Sequence, residues 1–145
     1  MERRIKMKRI ILYGRKVVGG YAEGEAIVTR DTISGWGGMN PLEGTIIERR
    51  HELRGQSFKG KVLVFPAAKG SSGWSNAFHV TRLAGTAPKA LIINHITSKS
   101  ALGAVVMHIP TVTDLNQNPL DVITSGDWVK INADNGTIEV IKQKN

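Results

Sequence analysis

Two short apolar runs, Lys61-Val62-Leu63-Val64-Phe65 and Ala90-Leu91-Ile92-Ile93, lie about one helix apart, and neither alternates apolar with polar residues. A strand without alternation is buried on both faces, which places it inside a sheet covered on both sides. Pro66 ends the first run. From Ser75 to Leu83, the apolar residues Ala77, Phe78, Val80, Leu83 and Ala84 recur as on a helix. The segment therefore reads as strand, helix, strand, and two parallel strands joined this way are linked by a right-handed crossover. The same pattern repeats once. Ser98 to Ala104 is a short helix with serine available as its cap, and Thr111 to Thr113, after Pro110, is a third core strand.

The flanking sequence is rich in strands. Ile10 to Leu12 and Val17 to Val18 suggest an opening strand or hairpin, and Ala22 to Thr29 a second strand. Trp36-Gly37-Gly38 with Asn40-Pro41 forms a loop, Thr45 to Ile47 a short strand, and Arg54-Gly55-Gln56-Ser57 a tight connection. Trp128 to Ala133 and Thr137 to Ile141 close the chain as a hairpin, for which Asn135-Gly136 predicts a type I′ turn. The expected class is α/β. An antiparallel β layer packs on a parallel unit in a mixed sheet that ends in a C-terminal β-hairpin.

At 145 residues the chain has room for one domain. Residues 1–12 read as a basic N-terminal extension with the first strand, and 13–145 as the domain itself. With 41% hydrophobic and 22% charged residues the composition is that of a folded protein, not a disordered one. Apolar stretches such as Ala101 to Ile109 are too short to cross a bilayer, so no membrane partner is expected. Met1 to Arg9 is basic but is not followed by the apolar core of a secretory signal, and a cytoplasmic location is expected. The absence of cysteine excludes a disulfide framework and any thiolate-bound cluster made by this chain alone. A net charge of +8 permits nucleic-acid binding. However, six basic residues fall within the first fifteen positions and no basic stripe is interleaved with aromatics, so no nucleic-acid partner is expected. The remaining positive charge suits an anionic small-molecule substrate or an acidic partner subunit.

Between the first core strand and its helix stands Lys69-Gly70-Ser71-Ser72-Gly73. Small side chains and unpaired N–H groups at a helix start suit an anion or a developing negative charge. A serine oxygen held there could act on a carboxylate or phosphate compound, or it could simply cap the helix. Both readings stand on local features. Lys69 adds positive potential or is merely solvated, and Trp74 could shape a pocket, whereas Phe78 reads as core. Ser34-Gly35-Trp36-Gly37-Gly38 is a candidate second wall. His51, His79, His95 and His108 lack metal-ligand spacing, and His51-Glu52 reads as surface, so no metal site is expected. Ser71 also lacks the Gly-x-Ser-x-Gly context of a serine hydrolase.

An ordered set of segments carries a resemblance. It runs from Gly14-Arg15-Lys16-Val17-Val18-Gly19-Gly20 and Ala22-Glu23-Gly24-Glu25-Ala26 through Gly37-Gly38, Arg54-Gly55-Gln56-Ser57 and Gly60 to Pro66. It continues with Lys69-Gly70-Ser71, Ala87-Pro88-Lys89-Ala90 and Ile109-Pro110. Together these resemble the small, swivelling-domain subunit of the aconitase X type dehydratases. The resemblance implies a three-layer swivelling β/β/α fold and a hydro-lyase active only with a large aconitase X type catalytic subunit. It also implies an iron–sulfur cluster on that large subunit, none being bound by this chain. Ser71 matches the serine base, with Gly70, Ser72 and Gly73 around the substrate. A serine base needs fixed dipoles to stabilise its alkoxide, and N–H groups at a helix start supply them.

Two departures bear on the substrate. Gly73 and Trp74 stand where the wider aconitase family has a carboxylate-holding arginine. Trp74 also replaces the smaller residue usual in archaeal members, which argues against sharing their phosphorylated hydroxy acid. The alternative is a non-catalytic swivelling module that binds phosphate or carboxylate, although comparable modules use a histidine where this loop has serines and His79 lies further along.

Overall fold

Residue Gly14 separates two strands that end on opposite edges of the fold. β1 (Lys6–Tyr13) and β2 (Arg15–Val18) stand at the two ends of an eight-stranded order, with β12 (Thr137–Lys144), β11 (Trp128–Asn132), β3 (Tyr21–Val28), β7 (Val62–Phe65), β9 (Ala90–Ile93) and β10 (Thr111–Thr113) between them in that order. The short β5 (Met39–Asn40) and β6 (Thr45–Ile46) pair with one another outside it. The computed structural model that defines this arrangement describes residues 6 to 144. Met1 to Ile5 of the expected basic extension thus lie outside the described residues. The opening strands do not form a hairpin. β1 pairs antiparallel with β12 (Thr137–Lys144), and β2 pairs antiparallel with β10 (Thr111–Thr113). The corner between them is tight: a Cβ at Gly14 would stand 2.5 Å from Leu115 and 2.6 Å from the Thr113 carbonyl.

A second strand joins the layers on the other side. The first half of β3 (Tyr21–Val28) pairs antiparallel with β11 (Trp128–Asn132), and its second half pairs parallel with β7 (Val62–Phe65). One layer is therefore antiparallel, built from β1, β12, β11 and the start of β3. The other is the parallel run of β3, β7, β9 (Ala90–Ile93) and β10, edged by β2. α1 (Trp74–Ala84) and α2 (Ser98–Met107) pack on one another and on the parallel layer.

The unbroken apolar runs follow from this sandwiching. Val62, Val64, Ala90 and Ile92 pack with Leu12, Val129, Ile131, Ile138 and Val140 between the two β layers. The intervening Leu63, Phe65, Leu91 and Ile93 pack with Trp74, Ala77, Phe78, Ala104 and Met107 beneath the helices. All eight strand residues are fully buried, and each large one contributes about 1.5–3 kcal/mol by leaving water. The expected three layers are present.

Local details differ from expectation in three places. α2 is capped by Thr97, not by serine: the Thr97 hydroxyl accepts from the Ser100 N–H, and Ser100 Oγ accepts from the Thr97 N–H. The closing hairpin forms, but its loop runs from Ala133 to Gly136, and Gly136 alone has positive φ, which is not a type I′ turn. Glycine is required there because a Cβ would collide with the Gly14 carbonyl. α3 (Pro119–Val122) is too short to show a period, although Asn118 as cap and Pro119 at the first position are its local signature. Among the described residues, no helix is long and apolar enough to cross a membrane.

Candidate active site

The carboxyl ends of parallel strands are where open α/β sheets place ligands, and the candidate loop lies there. β7 passes through Pro66 and Ala67 into β8 (Ala68–Lys69), which pairs parallel with β4 (Ile33–Ser34) before the Gly70–Gly73 turn begins. The next crossover, after β9, brings Thr97, Ser98 and Lys99 alongside. Ser72 lines one cavity with these three and Leu102.

Ser71 is exposed, and its Oγ accepts from the Gly73 N–H at 3.3 Å while its carbonyl accepts from the Trp74 N–H at 3.2 Å. Neither serine caps α1. The N-cap is Gly73, in helical conformation and without a side-chain cap. The hydroxyl instead closes a small serine turn. Among the described residues, the N–H groups of Ser71 and Ser72 have no acceptor. Gly70 and Gly73 are glycine for different reasons. Gly70 has φ 102° with open space around it, whereas a Cβ on Gly73 would stand 3.1 Å from the Trp36 ring. Trp36, 55% exposed, thus walls the loop on one side.

Trp74 does not shape the pocket. It is 1% exposed, its indole N–H donates to the Ile33 carbonyl at 2.9 Å, and its ring stacks on Phe78 at 4.2 Å between centroids. It anchors the loop from below, where a ligand does not reach, so the larger side chain carries no argument against a phosphorylated substrate. Phe78 is core, as expected. Lys69 is paired with Glu48 at 2.5 Å on the surface, so its charge is largely matched. Lys99 was not singled out by sequence: its ammonium donates to the Gly70 carbonyl at 2.6 Å. Its only signal is its place in the first turn of the helix on the neighbouring crossover.

His51 is buried, contrary to the surface reading. Its Nδ1 accepts from the Leu53 N–H and its Nε2 donates to the Thr32 carbonyl, both at 3.1 Å. Glu52 accepts with Oε1 from Thr29 Oγ1 at 2.5 Å and from the Arg30 N–H at 2.6 Å, so the pair fastens a loop. The hydrogen bond from the Tyr21 hydroxyl, with a second from the Trp128 indole, lowers the pKa of Glu23; the same contact raises that of Tyr21. Both lie on the antiparallel layer, away from the loop. Among the described residues, no group of three His, Cys, Asp or Glu could hold a metal.

The loop thus offers an exposed serine hydroxyl, two N–H groups without an acceptor among the described residues, and a helix start. The family model for the aconitase X swivel domain matches residues 11–140. This chain belongs to the aconitase X swivel domain family. It is 41% identical over 138 residues to the phosphomevalonate dehydratase small subunit of Methanosarcina acetivorans, covering 95% of this chain and 96% of that one. It is 42% identical over 130 residues to the protein of the same name from Thermococcus gammatolerans, covering 90% and 97%. A crystal structure of Thermococcus kodakaraensis aconitase X in its holo form superposes on this swivel domain with a TM-score of 0.87 at 38% identity, covering 92% of this chain and 99% of that one. The expected swivel fold is therefore the observed one.

Proposed function

We propose that this chain is the small subunit of a cytoplasmic phosphomevalonate dehydratase and brings the Ser71 loop to an active site completed by a large aconitase X type subunit. The observation that carries this is identity of about 40% to small subunits of that name across nearly the whole of both chains. The loop geometry supports it, because the loop is exposed at the carboxyl edge of the sheet, as a shared site requires.

In this reading Ser71 Oγ takes the proton from the carbon next to the substrate carboxylate. The C–H electron pair becomes the new C=C bond as the C–O bond to the neighbouring hydroxyl breaks. A serine alkoxide is costly at neutral pH; the Gly73 N–H already on Oγ and the start of α1 offset part of that cost. Gly70, Ser72 and Gly73 give the backbone its close approach to the substrate. An iron–sulfur cluster does not fit this chain, which has no cysteine and no group of three possible ligands among the described residues. Departure of the hydroxide is accordingly assigned to the large subunit.

The test is co-expression with the large subunit and assay of 5-phosphomevalonate by mass spectrometry. The dehydrated product is expected, and mevalonate without its phosphate should show kcat/KM lower by about a hundredfold or more, because groups placed for a charged partner are left unpaired. Equal use of both compounds would overturn the substrate, and turnover of neither would overturn the dehydratase assignment.

A further inference from the structure

One side chain reaches the catalytic loop from the neighbouring crossover. Lys99 donates from Nζ to the Gly70 carbonyl at 2.6 Å. The bond is not needed to build α2, whose start is already closed by the reciprocal Thr97 and Ser100 pair. Nor is it needed for α1, where Gly73 and Trp74 bond back to Ser71. Those bonds all lie on the C-terminal side of the Ser71 Cα. On its N-terminal side stands Gly70 at φ 102°, with nothing within 4 Å of where a Cβ would be. A glycine in open space lets the peptide that follows it rotate at little steric cost.

The orientation of that peptide matters. In a trans peptide the carbonyl of Gly70 and the N–H of Ser71 point in opposite directions. With the carbonyl held on Lys99, the Ser71 N–H is turned away from α2, where it has no acceptor among the described residues. Rotation of the peptide by half a turn would put a carbonyl oxygen where a donor stands, a repulsive partner for an anionic substrate.

We propose that Lys99 is a positioning residue: its bond to the Gly70 carbonyl locks the Gly70–Ser71 peptide so that the Ser71 N–H is available to negative charge developing on the substrate. The inference rests on the reading of Ser71 as the base. A donor fixed in advance contributes to the rate because it need not reorganise during reaction, and its misplacement by an ångström can cost about a hundredfold.

The experiment uses the assembled two-subunit enzyme with 5-phosphomevalonate, comparing Lys99→Met, Lys99→Arg and Ser71→Ala. Lys99→Met should lower kcat about tenfold to a hundredfold with KM within about twofold, because the lysine acts on the loop and does not itself hold substrate. Lys99→Arg, which can still donate to the carbonyl, should recover most of the lost kcat. Unchanged kcat in Lys99→Met, or a large rise in KM with kcat held, would overturn the proposal while an inactive Ser71→Ala keeps the base. Full activity in Ser71→Ala would instead overturn the reading on which it rests. Should Lys99→Met not assemble, Lys99→Gln gives the same test, since its shorter side chain falls short of the carbonyl; full kcat there overturns the lock and reduced kcat at constant KM supports it.

Discussion

Ser71→Ala is expected to lower turnover of the assembled enzyme by about a hundredfold or more, because positioned proton transfer contributes at least that much. Folding and partner binding should survive. The hydroxyl is exposed and makes one hydrogen bond, to the Gly73 N–H at 3.3 Å, so its loss costs about 1 kcal/mol or less. Ser72→Ala should be milder in turnover, since Ser72 borders the cavity and is not the proposed base. Steady-state kinetics and a melting curve on the same preparations separate the roles. Full turnover in Ser71→Ala with a lowered melting temperature would reduce Ser71 to a turn residue.

The largest effect on stability is expected from Trp74→Ala. This ring is 1% exposed, stacks on Phe78 and lies so close to Gly103 that α2 could carry no side chain there. Truncating a buried tryptophan costs about 3–5 kcal/mol. The Ile33 carbonyl, which accepts from the indole N–H, would lose that donor as well. In a domain of this size the melting temperature should fall by roughly 10 °C or more. Trp74→Phe, which keeps the stacking and loses the N–H, should fall between the two. A loss below about 1 kcal/mol in Trp74→Ala would mean that the ring does not anchor the loop.

What could be read from the sequence was what is written locally. Val62 to Phe65 and Ala90 to Ile93 announced themselves because burial on two faces removes alternation, and the spacing after Ser75 gave α1. The Asn135-Gly136 hairpin was placed correctly, but its turn type was not, because the glycine answers to the distant Gly14 carbonyl and not to the turn alone. For the same reason β1 and β2 looked like a hairpin: a single glycine between two strands says nothing about which edges they join. At the site, Ser71 and its glycines stand together in sequence, so the loop was visible. The loop after β4 was legible as a candidate second wall, and its Trp36 stands beside Gly73; Lys99 reaches the site only through folding, from α2. Trp74 misled because a tryptophan after a glycine-rich turn reads equally as a pocket wall or as an anchor. Only its burial and its bond to Ile33 decide between them.

Completion of the active site by this swivel domain is tested by titrating the isolated large subunit with this chain, read as rate of dehydration of 5-phosphomevalonate. The rate should start near zero, rise in proportion to added chain and reach a plateau at equimolar ratio. The Ser71→Ala chain should compete for the large subunit without restoring the rate. A large subunit that turns over at the plateau rate before any of this chain is added would mean that its active site is complete without the swivel domain.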